Sequence, residues 1–378
     1  MGSISMLKSF DIWGPTFIFR KVKNLLKRRG EHVTKHVIFC VADHFEPNWQ
    51  NPGFKVEEER VRRWIQEYAK LAAAHKDSDG RCPQHTWFYA AEQYKTDLVE
   101  ALSGLCKQSL GEIEMHLHHD HDTPDGFRQK LEHAKRNFSR HGIFVTQTKP
   151  VRHAFGFIHG NFTLNNSGKG GRLCGVDNEL RILRDAGCYA DFTLSCGAQE
   201  SQTRKVNSIY YARDIPGRRK SHNTGIDVRV GGKEVGDLML IQGPLALDWR
   251  RRKWGILPRI ENGCILGNNP GTRDRIDLWV QQDIHVHGRL GWIFIKVYCH
   301  GAQEDDIDSL LGEGAHRMYL YLEKEYNDGK RYFLHYVTAR EMYNIAKAAE
   351  ADNSGNPFFY RDYLIKPYLN SGKKDVAA

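Results

Sequence analysis

Apolar runs of strand length recur along this chain, and they stop at polar residues. Val37-Ile38-Phe39-Cys40-Val41-Ala42 stops at Asp43-His44-Phe45-Glu46-Pro47. Glu112-Ile113-Glu114-Met115 stops at His116-Leu117-His118-His119-Asp120-His121-Asp122. Ala154-Phe155-Gly156-Phe157-Ile158 stops at His159-Gly160-Asn161, and the run from Trp292 to Cys299 stops at His300-Gly301. The third of these runs belongs to a strand predicted over 152–159, and further strands are predicted over 85–89, 189–194, 238–242 and 332–337. Between the strands the apolar spacing becomes helical. Val61, Ile65, Tyr68 and Leu71 share one face of a predicted helix over 56–75, and Glu57-Glu58-Glu59 favour its N-terminal dipole. Other helices are predicted over 96–106, 125–139, 176–186, 272–285, 305–326 and 339–351. The strand–helix alternation recurs seven or eight times and predicts an α/β fold. The expectation is a TIM-like (β/α) barrel of seven or eight strands, with the polar strand ends sharing one rim.

Two stretches break the rhythm. Residues 199–236 are rich in Arg, Lys, Asn and Gly and hold Tyr210-Tyr211 and Arg218-Arg219-Lys220. They read as a long insertion over the barrel mouth, bounded at about 197–237. Trp249-Arg250-Arg251-Arg252-Lys253-Trp254 reads either as a solvated loop or as a surface for sugar rings and anions. The expected organisation is a basic amphipathic segment over 1–30, the barrel over 31–370 and a loose tail over 371–378.

Composition narrows the function classes. A chain of 378 residues with 40% hydrophobic side chains can build a large core, which excludes a disordered or fibrous protein. A net charge of +9 suits an anionic lipid, an anionic saccharide or nucleic acid, and equally a basic enzyme. No nucleic-acid-binding module is recognisable, so nucleic acid is not an expected partner. The eight cysteines include no C-x-x-C pair and predict reduced thiols and a cytoplasmic setting. No stretch approaches the ~20 apolar residues of a membrane span. Within 6–29, Trp13, Phe17, Ile18 and Phe19 precede Arg20, Lys21, Lys23, Lys27, Arg28 and Arg29. That pattern fits peripheral contact with the inner face of a membrane, or a flanking helix packed on the domain.

The strand ends carry the chemistry. An acid and an imidazole at Asp43-His44 can serve as base and metal ligand. The second cluster holds four imidazoles in six residues, more than a solvated loop collects by chance. Strand alternation turns His116 and His118 one way and His119 the other, while Asp120 could fold back onto the metal of His116. At His159-Gly160-Asn161 the glycine permits close approach of a ligand, and Asn161 can hydrogen-bond a substrate. His159 alone would more often be a satisfied core histidine. His300 fits a general acid that protonates a leaving amine or alkoxide, and a structural histidine is its alternative. Glu92, His118, Asn161 and His285 are candidate substrate contacts, with His287 beside the last.

These motifs resemble the polysaccharide deacetylase superfamily. Two adjacent acids end the first strand there, and Asp43-His44 stands in their place. The resemblance implies Asp43 as base, with His44 replacing a metal-binding acid. Glu112-Ile113-x-x-His116 is similar to the second motif, whose later His is Asp120 here. Glu112 to His118 is also similar to the sugar-deacetylase branch, in which a later strand supplies a further His, a part His159 would take. His300 matches the late general acid. The implied ligand set is therefore His44, His116 and one or both of Asp120 and His159 around a divalent metal, Zn²⁺ by donor type. The implied activity is removal of an acetyl group from a saccharide or exopolysaccharide precursor. A glycoside hydrolase, pairing Asp43 with Glu46, Glu92 or Asp191, is one alternative. A non-catalytic saccharide-binding or assembly protein at the membrane surface is the other.

Overall fold

The structure, a computed structural model, describes residues 9–27, 33–146 and 154–368, with side chains for all of these except 23–27. Residues 6–8, 28–29, 152–153 and 371–378, which figured in the expectations above, lie outside the described residues. The strands are β1 (Lys35–Phe45), β2 (His85–Ala90), β3 (Gly111–Leu117), β4 (Phe155–His159), β5 (Cys188–Asp191), β6 (Ile209–Ala212), β7 (Ile226–Asp227), β8 (Leu238–Ile241), β9 (Ala246–Lys253), β10 (Leu257–Glu261), β11 (Trp292–Cys299) and β12 (Tyr332–Tyr336). Ten of them join one sheet in the order β11-β1-β2-β3-β4-β5-β8-β6-β7, with β12 also on β1. The pairs from β11 through β5 to β8 are parallel, as strand–helix–strand crossovers require. The long β1 serves three neighbours: β11 along one edge, β12 and then β2 along the other.

The expected closed barrel is not formed. Among the described residues no ladder joins β11 to β7, the two ends of the sheet. The cause lies in the stretch expected to be a cover. Part of 197–237 forms β6, which pairs antiparallel with β8 and with β7, and so occupies the edge where a closing parallel strand would bind. Tyr210 and Tyr211 are buried there, and the segment extends the sheet. Short irregular contacts bridge the gap: Phe294 N donates to Ile284 O (2.8 Å) and His287 N to Val228 O (2.9 Å). The basic stretch after Trp249 is also ordered, as strand β9 of an antiparallel hairpin with β10. Arg251 turns back to Asp248 and Glu261, while Trp249 and Trp254 stay exposed.

The helices are α1 (Phe10–Lys27), α2 (Phe54–Arg63), α3 (Ala69–Ala73), α4 (Thr96–Lys107), α5 (Pro124–Ser139), α6 (Glu179–Asp185), α7 (Arg273–Gln281), α8 (Glu304–Leu311), α9 (Glu313–Tyr326) and α10 (Ala339–Glu350). A π turn, Trp64–Tyr68, links α2 to α3. The single helix expected over 305–326 breaks at Gly312, which has an extended backbone. Thr123 caps α5, accepting a hydrogen bond from Gly126 N. In α1, Trp13 and Phe17 are buried with Val206 and Leu245 at the base of β9, so these two aromatics serve packing. Ile18, Phe19 and Val22 remain exposed. No helix among the described residues is long and apolar enough to cross a membrane.

Strand alternation divides the core in two. Val37, Phe39 and Val41, with Ile113 and Met115, Phe155 and Phe157, and Ile293, Ile295 and Val297, face an outer layer made by α2 to α9. Ile38, Cys40 and Ala42, with Phe88, Ile158 and Phe294, face inward onto α10, through Met342, Ile345, Ala346 and Ala349. Thr338 and Glu341 form a capping box that fixes the start of α10. The inner face thus carries α10 near the strand starts and leaves the strand ends free of it.

Candidate metal centre

The alternation continues past the apolar runs and sorts the polar residues. On β1, His44 follows Ile38, Cys40 and Ala42 to the inner face, and Glu46 comes next on the same side. On β3, His116 faces inward, with His118 just beyond the strand end. His300 follows β11 in the same sense. These residues meet at the inner rim. His44, Glu46 and His300 form one group of possible metal ligands, and Glu46, His116 and His118 another, with ligand atoms within 4.8 Å of one another in each. Glu46 belongs to both.

Hydrogen bonds set the ring orientations. His116 is fully buried, and its Nδ1 donates to Ile158 O (2.9 Å), which leaves the Nε2 lone pair facing Glu46 Oε1 at 3.2 Å. His118 Nδ1 lies 2.6 Å from Glu92 Oε1, and its Nε2 is 3.6 Å from Glu46 Oε1. His44 packs against His116 and His300, with ring centroids 4.9 and 5.0 Å away, and its Nε2 is buried without a partner. Carboxylate or carbonyl groups behind a histidine are what fix a metal-binding tautomer.

Electrostatics favour neutral imidazoles at His44 and His300 beside a charged Glu46, while His118 is pulled toward its protonated form. Burial holds the His44 imidazolium far below the ordinary range, and His116, His300 and the buried Lys296 add to the effect. Burial also lowers His300. For His118 burial opposes protonation, but the Glu92 hydrogen bond and the charges of Glu92 and Glu46 outweigh it and raise the pKa. Burial would raise Glu46, yet its contacts with His116, His118 and His300 bring it below the usual carboxylate range.

The other expected site residues fall elsewhere. Asp43 points outward. Its Oδ1 accepts from Gly301 N (2.6 Å) and its Oδ2 lies 3.0 Å from His85 Nε2. Trp64, in the π turn, donates to Gly301 O (2.7 Å) on the same side. A Cβ on Gly301 would meet Asp43 Oδ2 at 2.1 Å, so this turn needs glycine. Asp43 is therefore placed to position the His300 turn, and its geometry does not support the expected role of base beside His44. His159 also faces outward, in register with Leu117, where burial lowers its pKa to about 4. Asp120 is half-exposed and accepts from Leu173 N and His121 N, fixing a loop outside the rim group. Asn161 sits exposed in a left-handed turn next to Gly160, which packs so closely on His118 that a Cβ would lie 2.2 Å from the ring. His285 lines a cavity of about 550 Å³ with Arg20, Lys35 and Ile293, beside the starts of β1 and β11 and so at the opposite end of the strands. Glu92 stands behind His118 as its partner.

Sequence reading missed Glu46 as the centre of the group. The signal was present: His44 and Glu46 are two apart on a strand that runs on to Phe45. No known protein family and no curated protein matches this chain.

The Glu92 pairing makes a direct expectation. Glu92→Gln removes the charge that holds His118 with Nε2 inward, and is expected to weaken divalent-metal affinity at the rim ~10–100-fold. Competition against a chelating dye measures this. Unchanged affinity would mean that His118 is not a ligand.

Proposed function

We propose that this protein is a metal-dependent carbohydrate hydrolase that removes an acetyl group from a saccharide or polysaccharide precursor. One observation carries the reading. Imidazole Nε2 atoms of His116 and His118, oriented from behind, face the Glu46 carboxylate at a strand-end rim, and the same carboxylate shares a second ligand group with His44, whose Nε2 is buried without a partner, and His300. Two or more neutral imidazoles with one carboxylate is a donor set suited to Zn²⁺. His44, Glu46, His116 and His118 would hold the ion. When bound, such a cation supplies Lewis acidity and makes water a better nucleophile near neutral pH. His300 is partly exposed on the rim and burial keeps it neutral, so it can take a proton from the attacking water and return it to the leaving amine or alkoxide. Asp43 acts through Gly301, holding the turn that presents His300. Asn161, exposed beside Gly160 and Phe162, would be free to hydrogen-bond the substrate.

The basic residues of β9 and the exposed Trp249 and Trp254 support contact with an anionic saccharide. The exposed Ile18, Phe19 and Val22 on the basic α1 support peripheral membrane contact. Acetate release from N- and O-acetylated oligosaccharides, by the full chain loaded with Zn²⁺ and again after chelation, tests the reading. Metal-dependent acetate release is expected. Chelator-resistant cleavage of glycosidic bonds would transfer the protein to the glycoside hydrolases, and saccharide binding without turnover would make it a binding protein.

A further inference from the structure

On the outer side of the same strand ends lies a second group, His119, His159, Cys174 and Glu179, whose ligand atoms are within 4.8 Å of one another. Its members come from the segment after β3, the end of β4, a loop and the first turn of α6. All four residues are buried, and the side chains of His119, His159 and Glu179 have no exposure.

The hydrogen bonds leave one buried nitrogen of each imidazole in this group, His119 Nδ1 and His159 Nε2, without a partner. His159 Nδ1 is 2.6 Å from Gly160 O, a carbonyl that can only accept, so Nδ1 carries the hydrogen. His159 Nε2 is then a bare lone pair, buried, without a hydrogen-bond partner, and 3.4 Å from Glu179 Oε1. His119 Nε2 lies 3.1 Å from the same oxygen. A proton on His119 Nε2 would satisfy that contact, but it would leave His119 Nδ1 as a second lone pair, 3.3 Å from the Asp122 carboxylate. A proton on Nδ1 instead turns both Nε2 lone pairs onto Glu179. Cys174 Sγ receives the backbone N–H groups of Asn166 (3.2 Å) and Val176 (3.5 Å) and lies 3.5 Å from Glu179 Oε2, while burial and the Glu179 charge hold its proton on, so a thiolate there needs a cation beside it. Lewis bases aimed at one buried point repel one another unless a cation stands between them.

We propose that His119, His159, Cys174 and Glu179 form a closed, tetrahedral structural site for Zn²⁺. Two imidazoles, one thiolate and one carboxylate complete a four-coordinate shell, so no position is left for water or substrate, unlike the rim. The charges also balance: the thiolate and the carboxylate cancel the two charges of the ion, and a wholly buried site stays neutral. Binding releases the Cys174 proton to solvent. The site would pin the stretch from Gly160 to Asn178, which contains only short 3₁₀ turns, to the sheet and to α6. That stretch carries Asn161 and Phe162, which flank the rim. The proposal does not depend on the hydrolase reading.

The test is Co²⁺ substitution in the full chain. The rim has no cysteine, so a thiolate-to-cobalt charge-transfer band reports the closed site and not the rim. The expected result is a band in wild type that survives His116→Ala and is lost in Cys174→Ser. Cys299, near Asp43 and His85, is the other cysteine in a possible ligand group. The band must therefore also survive Cys299→Ser, which keeps the test decisive if Cys174→Ser does not fold. X-ray absorption of the zinc form should show one sulfur at ~2.3 Å. Absence of the band in wild type, its loss in Cys299→Ser, or a zinc shell of nitrogen and oxygen alone would each overturn the proposal.

Discussion

His116→Ala is expected to lose one equivalent of bound metal and at least ~100-fold in acetate release, since even the partners behind a ligand are worth ~10–100-fold. The side chain is wholly buried, and its two nitrogens are both committed, one to Ile158 O and one toward Glu46. Alanine leaves Glu46 with His118 alone among the β3 histidines, at 3.6 Å. It also strips the Ile158 carbonyl of its donor, so some stability is lost with the metal. Elemental analysis and acetate release on folded protein, checked by circular dichroism, separate the two effects. The readout is a difference of one equivalent, because the closed outer site is expected to stay filled. A variant that keeps both its metal and its turnover would remove His116 from the chemistry and take the proposed activity with it.

Arg340→Ala is expected to destabilise the fold by ~3–5 kcal/mol, the range for breaking one side of a buried ion pair. Arg340 is fully buried at the start of α10. Its guanidinium donates to Glu112 Oε1 (2.8 Å), Asp362 Oδ1 (2.8 Å) and Ile365 O (2.6 Å). Without it, Glu112 keeps only the Thr338 hydroxyl (2.6 Å) for a carboxylate that water barely reaches. Urea unfolding should show a lower midpoint with an unchanged slope. Arg340→Lys should recover little, because an ammonium cannot reproduce the planar fork. The double change Arg340→Met with Glu112→Gln should cost less than Arg340→Ala, since no unpaired charge is left buried. A loss under ~1 kcal/mol for Arg340→Ala would show that water relieves Glu112. Glu112 opens the motif that led to His116, yet it anchors α10 and stays out of the rim.

The strand–helix order was legible because β1, β4 and β11 are dense apolar runs bounded by polar residues, and β3 alternates its glutamates with Ile113 and Met115. The runs did not reveal where those strands end. β1 continues through Asp43 and His44 to Phe45, because ladder hydrogen bonds to β2 and β11 hold the backbone extended whatever the side chains are. Taking Ala42 as the end hid the sorting of Asp43 from His44. The same sorting separates His159 from His116, and it becomes visible only when the register of β3 with β4 is known. β6 was illegible for another reason: a strand of four residues beside arginine and asparagine gives too short an apolar run to stand out. Closure failed with it, since that strand takes the edge that a barrel would need. Cys174 and Glu179 reach their partners through an irregular loop, and no spacing rule encodes such a path. The rim was the most legible part, because His44, His116, His118 and His300 all sit at ends of strands that the hydrophobic pattern located.

The position of α10 governs traffic at the histidines. Met342, Ile345 and Ala349 fill the inner face toward the strand starts, so a molecule that reaches the rim meets a sealed floor. Among the described residues, the side of the histidines away from α10 is the strand-end side. Under the proposed reading a polymer would not thread past the histidines, and a substrate would present a protruding group to them from outside. Each product would then leave by the route the next substrate takes, so the proposed turnover would run by successive visits and not by sliding along a tunnel.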